Sequence, residues 1–217
     1  LRRLVGSEMC IRDSAEGVRV AYPLFQAGGG GSTPTSALQL RFDPLDLRTA
    51  KQLVRLWHSR LPRLGGQIPG GFGYGAEFDG LFYAVAVWSL PVARLLPNDG
   101  SCLELRRLAV GPDAPKNTAS RMLGWMVRDI ARRRPGVNRL VSYQDTEVHT
   151  GGIYRAAGWT AAALSQGDTW DRPNRHRRQT QSDAPKVRWE KALLVNPSPG
   201  PSREADSAAD GGRRADG

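Results

Sequence analysis

The chain has 217 residues, a formal net charge of +10 and 40% hydrophobic residues. This length and apolar content predict one domain with its own core. No apolar run approaches the roughly 20 residues needed to span a bilayer, and the two cysteines are too few for a zinc cluster or a disulfide framework. We therefore expect a soluble, cytoplasmic protein without membrane contact. Positive residues bunch at Arg132–Arg134 and Arg172–Lys191, which favours either a polyanionic partner or a solvated basic face.

Composition changes along the chain predict a folded domain at residues 37–194. Residues 5–14 have no amphipathic period and resemble a translated adapter sequence, while Gly28–Ser36 has the composition of a flexible linker. We therefore expect residues 1–36 to be a disordered or artefactual N-terminal segment with a linker. Residues 195–217 are rich in Pro, Gly, Ser and Asp, which predicts a disordered tail.

The first half of the domain predicts a helix followed by a β-hairpin. Apolar residues recur at helical spacing from Pro44 to Trp57, so we expect a helix that ends near His58, with Asp43 as its N-cap. Two β-rich runs then flank the pair Asp79-Gly80, which is typical of a tight hairpin turn.

The strand predicted at Leu103–Val110 carries an irregular alternation. Leu103 and Leu105 share one phase and Leu108 and Val110 the other, so the pattern slips by one residue at Arg106/Arg107. Such a slip predicts a β-bulge, which would leave backbone groups free for a ligand. The alternative is an irregular strand end with no ligand.

The second half of the domain alternates helices and strands, which predicts a mixed sheet at least partly covered by helices. An apolar stripe predicts a helix over Thr118–Arg133, capped by Asn117 or Thr118. Further predicted elements, in chain order, are a strand at Leu140–Tyr143, a short helix at Ile153–Ala157 closing at Gly158, and a last strand in the run RWEKALLV.

The turn Gly111–Thr118 is a candidate phosphate site because it leads into a helix N-terminus. The free N–H groups and positive dipole end of a helix attract phosphate, and Lys116 would add charge. The alternative is a plain capped helix.

Three residues are candidates for catalysis or for metal binding: His58, Asp145 and Tyr154. One imidazole, one carboxylate and one phenol are ligands that suit a redox-active iron. Alternatively, His58 or Asp145 takes a proton from an amine and Tyr154 returns one to a leaving thiolate. Each also has a structural interpretation, as a helix cap, a turn residue and a core aromatic respectively. Further candidates nearby are His149, Ser142 and Tyr143.

A segment that interleaves basic and aromatic residues is the candidate nucleic-acid surface. Arginines neutralise phosphates and an aromatic ring stacks on an exposed base. The alternative is a solvated loop before the last strand. The candidates are Trp170, Arg172, Arg175, Arg177 and Arg178.

The bulged strand, the helix start after it and the segment Tyr154-Arg-Ala-Ala-Gly-Trp159 together resemble the core of the GNAT N-acetyltransferase superfamily. The resemblance covers roughly Leu81–Trp159, and it implies a GNAT-like α/β fold, a mixed sheet flanked by helices with splayed central strands. It also implies that acetyl-CoA binds along the bulged strand and the helix start, at Leu108, Ala109, Val110, Lys116, Asn117 and Thr118. The Gly-rich phosphate loop of that superfamily is replaced here by Pro112–Asn117.

A narrower resemblance comes from the pieces LWHSRLP, LRRLAVGPDAPKNTASRMLGWM, SYQD and HTGGIYRAAGW, which are similar to the phage Mom DNA-modification family. That family implies acetyl-CoA, iron, and conversion of the exocyclic amine of adenine in duplex DNA to a carbamoylmethyl amine. By position, His58, Asp145 and Tyr154 match the His, Asp and Tyr of the family.

The leading hypothesis is therefore an acyl-CoA-dependent enzyme of anti-restriction type, encoded by a phage or prophage, that modifies adenine in duplex DNA within a bacterial host cell. An ordinary N-acetyltransferase acting on a small-molecule or protein amine is the first alternative. A non-catalytic DNA-binding module with the same fold is the second.

Overall fold

The computed structural model describes residues 32–58, 61–93, 95–166 and 184–193. Within them, seven strands form one sheet and three α-helices pack on it; a 3-10 turn, Ala37–Gln39, precedes the first strand. The strands are β1 (Arg41–Leu45), β2 (Phe72–Phe78), β3 (Leu81–Ser89), β4 (Cys102–Val110), β5 (Arg139–Asp145), β6 (Thr160–Ser165) and β7 (Lys186–Ala192). The helices are α1 (Leu47–Trp57), α2 (Thr118–Arg133) and α3 (Gly152–Ala156).

The sheet is mixed, and its one parallel pair among the described strands opens part-way along. The strand order is β1-β2-β3-β4-β5-β7-β6, with β4 and β5 parallel and the other neighbours antiparallel. Pairing of β4 with β5 runs from Cys102↔Arg139 to Leu105↔Ser142, although β4 continues to Val110. The predicted fold class, a mixed sheet flanked by helices with splayed central strands, is confirmed.

The predicted bulge lies in β4 at Arg106. Val87 of β3 pairs with Arg107, whereas the next residue, Trp88, pairs with Leu105, so Arg106 is the extra residue. Because of this insertion, Leu105 and Val110 both belong to the core on the α2 face of the sheet. The bulge therefore explains the slip in the sequence alternation and bends β4 where β5 leaves it.

The two faces of the sheet have separate cores. The α1 helix buries Ala50, Leu53 and Val54 against Val85 and Val87. On the opposite face, α2 buries four fully enclosed side chains, Met122, Leu123, Met126 and Ile130. Helix α3 contacts α2 and so lies on the same face.

The predicted start of α1 is wrong, and the predicted cap of α2 lies in place without a side-chain bond. Pro44 lies in β1, and the N-cap of α1 is Asp46, whose carboxylate accepts a hydrogen bond from the Thr49 N–H at 2.9 Å. Since β1 is an edge strand, Pro44 lies where a missing N–H is tolerated. At α2, the N-cap Asn117 has a positive φ of 65° and makes no side-chain capping bond, while Thr118 donates instead to the carbonyl of Pro115.

Among the described residues, no helix has the length and apolar character needed to cross a membrane.

Candidate functional site

A cavity of about 80 Å³ opens where β4 and β5 separate. Its wall comes from both sides of the sheet, since it combines β4 and β5 residues with His58 after α1 and Tyr154 of α3. The lining residues are His58, Leu105, Arg106, Arg107, Leu108, Ser142, Tyr143, Gln144, His149, Gly151, Ile153 and Tyr154. The gap thus lets groups on the α1 face and groups on the α3 face reach one space.

Tyr154 presents a buried phenol to this gap. Its hydroxyl is 2.7 Å from the Ser142 hydroxyl, and its ring stacks on Trp189 with centroids 5.2 Å apart and an interplanar angle of 11°. Burial raises the pKa of Tyr154 to about 12, and the hydrogen bond with Ser142 opposes that rise. The phenol therefore keeps its proton at neutral pH and is a potential acid.

The position of α3 depends on close packing at Gly151. Gly151 has a φ of +79°, and a Cβ there would lie 2.5 Å from the Trp189 ring and 2.6 Å from the Gln144 side-chain oxygen. That oxygen accepts a hydrogen bond from the Trp189 indole at 2.6 Å, while the Gln144 amide nitrogen donates to the carbonyl of His149. These bonds connect β5, β7 and the loop before α3, so they fix the helix that carries Tyr154.

His58 ends α1 and also lines the cavity. Its backbone N–H donates to the carbonyl of Val54, and its Nδ1 accepts a hydrogen bond from the Leu61 N–H at 3.2 Å. Burial, with smaller contributions from Arg107 and His149, lowers the pKa of His58 to about 4. A neutral imidazole that accepts at Nδ1 carries its hydrogen on Nε2. We infer from this bond that His58 acts as a neutral hydrogen-bond donor at Nε2.

Two consecutive arginines at the bulge bring positive charge to the cavity. The Arg106 guanidinium lies 3.3 Å from a carboxylate oxygen of the buried Glu104. Arg107 donates from Nε to the carbonyl of Leu61 at 3.2 Å and from Nη1 to the carbonyl of Arg106 at 2.6 Å. Sequence reasoning used this pair only as a marker of the bulge; the signal it missed was two adjacent positive charges inside a largely apolar strand.

Asp145 lies outside the cavity lining. Its side chain accepts a hydrogen bond from the Glu147 N–H at 3.0 Å, and its carbonyl accepts from Val148 and His149. Along β5 it takes the opposite phase from Ser142 and Gln144, whose side chains contact Tyr154 and Trp189. The structure thus brings His58 and Tyr154 to one cavity and gives Asp145 a turn-stabilising contact instead.

The described residues do not fit the iron site that the family resemblance implies. No group of three His, Cys, Asp or Glu side chains among them is arranged to hold a metal ion. Of the three matched residues, Tyr154 is a protonated phenol bonded to Ser142, and His58 already uses Nδ1 for Leu61. Two of the ligating atoms would have to lose a proton or a partner first, and Asp145 lies outside the cavity.

The six residues expected to bind acetyl-CoA lie along β4 and at the start of α2. Leu108 lines the cavity, Ala109 packs on the α1 face, and Val110 is buried on the α2 face. Lys116 and Asn117 are exposed in the turn, and Thr118 is buried as the first residue of α2. They follow one path from the open part of β4 to the helix N-terminus.

The five residues of the predicted nucleic-acid surface, Trp170, Arg172, Arg175, Arg177 and Arg178, lie outside the described residues. Beyond this segment, the structure does describe β7, where Trp189 is buried against Tyr154 and Arg188 pairs with Glu190 at 2.9 Å. Trp189 belongs to the aromatic support of the candidate site, a role that its position beside a basic segment did not reveal.

The sheet order, the bulge and the splayed parallel pair define a GNAT-type acetyltransferase fold, and solved structures agree. An acetyltransferase from Bacillus subtilis, solved in complex with CoA, is similar with a TM-score of 0.52 at 14% identity over 71% of this chain and 99% of that one. The ribosomal-protein-S18-alanine N-acetyltransferase from Escherichia coli is similar with a TM-score of 0.50 at 13% identity over 71% and 94%. No curated protein sequence matches the chain.

Within this fold class, the sequence matches the model of the Mom protein family over residues 39–197, well over half of the chain. The chain belongs to the Mom protein family.

Proposed function

We propose that this protein is an acyl-CoA-dependent transferase that modifies the exocyclic amine of adenine in duplex DNA, acting in the cytoplasm of a bacterial host cell. The observation that carries the proposal is the buried, protonated Tyr154 at the gap between β4 and β5, in a chain of the Mom family. An acid at this position suits a reaction in which a thiolate leaves.

The open part of β4 supports binding of the acyl-CoA chain. Beyond Leu105, β4 has no pairing with β5, so the backbone polar groups on that side of Arg107–Val110 are available to the amides of a pantetheine arm. The N-terminus of α2 lies further along, and its first turn has no side-chain capping bond. Its free N–H groups suit the pyrophosphate.

The chemistry derived from these residues is acyl transfer to an amine. The amine nitrogen attacks the thioester carbonyl, an N–C bond forms, and the C–S bond breaks as the amine releases a proton to solvent. Tyr154 gives its proton to the departing sulfur, and its phenolate then regains one from solvent. Nε2–H of His58 donates to the carbonyl oxygen as charge develops there. This step yields an N-acetyl group. The carbamoylmethyl group implied by the family is joined to the amine through its methylene carbon and ends in an amide, so forming it from acetyl-CoA needs both a nitrogen donor and a two-electron oxidant as further substrates.

The rim of the cavity offers an aromatic ring for an extruded base. A base inside a duplex must be flipped out to react, at a cost of a few kcal/mol that stacking partly offsets. Tyr143 lines the cavity and is 36% exposed, which suits stacking. The basic segment with Arg172, Arg175, Arg177 and Arg178 supplies charge for phosphates.

Nucleoside mass analysis tests the proposal directly. DNA is isolated from cells that express the full-length chain or the Tyr154→Phe variant at equal soluble levels. We expect modified adenine only with the wild-type chain, and the mass distinguishes an acetyl from a carbamoylmethyl group. Unmodified DNA beside a soluble, folded wild-type chain would contradict the proposal, and acetylation of other amines by that chain would favour an ordinary N-acetyltransferase.

A further inference from the structure

Arg107 lies on the α1 side of the sheet gap and is held firmly there. Its register partner is Val87, a member of the core beneath α1. Two main-chain carbonyls, those of Leu61 and Arg106, accept hydrogen bonds from Nε and Nη1. Nη2 makes no hydrogen bond to another described residue, so the guanidinium is held at two of its three nitrogens and is open at Nη2.

Arg107 forms no direct ion pair with a carboxylate in the described part of the chain, although Glu104 acts on its charge from further away. The nearby carboxylate, Glu104, is already engaged, because one oxygen pairs with Arg106 and the other accepts from the Val92 N–H at 2.9 Å. None of the described residues that line the cavity carries a carboxylate. Burial lowers the pKa of Arg107 to about 10; repulsion by Arg106 adds to that effect, and attraction by Glu104 only partly opposes it.

An uncompensated, partly buried cation is costly for the folded protein. At neutral pH Arg107 keeps its charge, so the cost is not removed by losing a proton. The other cavity groups do not reduce it, because His58 and Tyr154 are neutral. Binding of an anion beside Arg107 would remove that cost, and a guanidinium edge matches the oxygens of a carboxylate or phosphate.

We propose that Arg107 forms an anion subsite for the acceptor, in which the open Nη2 end of its guanidinium binds the oxygens of a carboxylate or phosphate group on the α1 side of the cavity. The anion is either the phosphate of the extruded nucleotide or the carboxylate of a small co-substrate. This inference rests on the proposed function for the identity of the acceptor, not for the subsite itself.

Calorimetric titration of the full-length protein tests the subsite without any turnover. The probes are acetate, inorganic phosphate, deoxyadenosine monophosphate and, as a neutral control, deoxyadenosine. We expect saturable binding of at least one anion to the wild-type chain. Binding of phosphate and the mononucleotide but not acetate assigns the subsite to the nucleotide, and the reverse assigns it to a small carboxylate.

Variants link that binding to Arg107. We expect Arg107→Gln to weaken it about tenfold or more and Arg107→Lys to weaken it less, because lysine keeps the charge and loses the fork. Arg128→Gln removes the same charge from the exposed face of α2 and should bind like the wild type. If Arg107→Gln does not fold, weaker anion binding by Arg107→Lys is the result that links the binding to Arg107.

Two results would overturn the proposal: no saturable anion binding by the wild-type chain, or unchanged binding by the folded Arg107 variants. Anion binding by a chain that leaves DNA unmodified would keep the subsite and refute the DNA-modifying function. Modified DNA from a chain that binds no anion would support the DNA-modifying function and refute the subsite.

Discussion

At the scale of single residues, the proton on Tyr154 determines what the site can do. We expect Tyr154→Phe to lower the turnover number by about 10²–10⁴-fold, because the leaving thiolate loses its acid. Affinity for CoA should stay near the wild-type value, since the phenol contacts the reacting sulfur and not the pantetheine arm or the pyrophosphate. Steady-state kinetics with a direct CoA-binding measurement checks both parts.

A matched control separates this effect from lost stability. Tyr74 has a buried hydroxyl that donates to Asp129 at 2.9 Å and so ties β2 to α2 away from the cavity. Tyr74→Phe should cost about 1–3 kcal/mol of unfolding free energy and leave turnover almost unchanged. Equal losses of turnover in the two variants would make Tyr154 a structural residue only.

His58 predicts an acid sensitivity of the fold. Its pKa is about 4 in the folded protein against an ordinary 6.5, so below pH 6.5 the unfolded chain takes up a proton that the folded protein does not accept until about pH 4. Stability from this group is therefore present above pH 6.5 and lost as pH falls toward 4. The loss is on the order of 3 kcal/mol, measured as the change in urea midpoint.

Substitution of His58 should remove its contribution to the loss of stability in acid. We expect His58→Gln to lose less stability than the wild type between neutral pH and pH 4. Val54→Ala, a buried truncation in the same helix that keeps His58, should be destabilised at every pH but retain the wild-type slope. An unchanged slope in His58→Gln would mean that other groups cause the acid sensitivity.

Sequence reasoning reached some of these residues and not others for identifiable reasons. His58 and Tyr154 were named from local pieces of sequence, and both line the cavity. Asp145 was named in the same way, but it ends β5 outside the cavity lining, where its carboxylate accepts from the Glu147 N–H. Arg107 was not named because its proposed role depends on having no free carboxylate beside it in space. That depends on which residues the fold brings near it, and no local sequence pattern shows it.

At the scale of elements, the loop before α3 holds Tyr154 by excluding a side chain at Gly151. We expect Gly151→Ala to cost about 2–4 kcal/mol, because a left-handed backbone adds about 1 kcal/mol and the Cβ would collide with Trp189 and Gln144. Turnover should fall as α3 shifts. Thermal unfolding and single-turnover kinetics measure the two effects.

Gly158, which follows the other end of α3, provides the comparison. It has a φ of +71°, like Gly151, but the nearest atom to its missing Cβ is the flexible Lys191 ammonium at 3.2 Å. Gly158→Ala should therefore cost only the conformational part, about 1 kcal/mol, with little loss of turnover. Similar effects at both glycines would show that packing at Gly151 is not what positions α3.

Elements with a strong internal pattern were predicted well, and elements defined by their partners were not. The bounds of α2 match the prediction, and the bulge in β4 lies at the predicted slip. Both could be predicted because each produces a recognisable spacing of apolar side chains in the sequence. Strands β1 and β6 were missed. β1 contains a proline, and β6 is exposed along its whole length, so neither shows the alternation of a half-buried strand.

At the scale of the whole molecule, the topology creates the site that no single element contains. β4 and β5 are adjacent and parallel, and β7 pairs on the far side of β5. The bulge bends β4 away from β5, so a cavity opens at the centre of the sheet instead of at its edge. Local sequence indicated each strand, but the order of strands depends on long-range pairing, and the family resemblance rather than periodicity predicted the opening.

The net charge of the chain predicts how its affinity for DNA depends on salt. The chain carries +10, so binding to duplex DNA should release counter-ions, and the logarithm of the affinity should fall linearly with that of salt concentration. Anisotropy titrations measure the slope. Joint substitution of Arg175, Arg177 and Arg178 by Gln should make the slope shallower by about 2–3. Gln at Arg48, Arg121 and Arg128, which are exposed on α1 and α2, removes equal charge and should change it little. Equal changes in both triple variants would mean that DNA responds to overall charge and that the basic segment is not the contact surface.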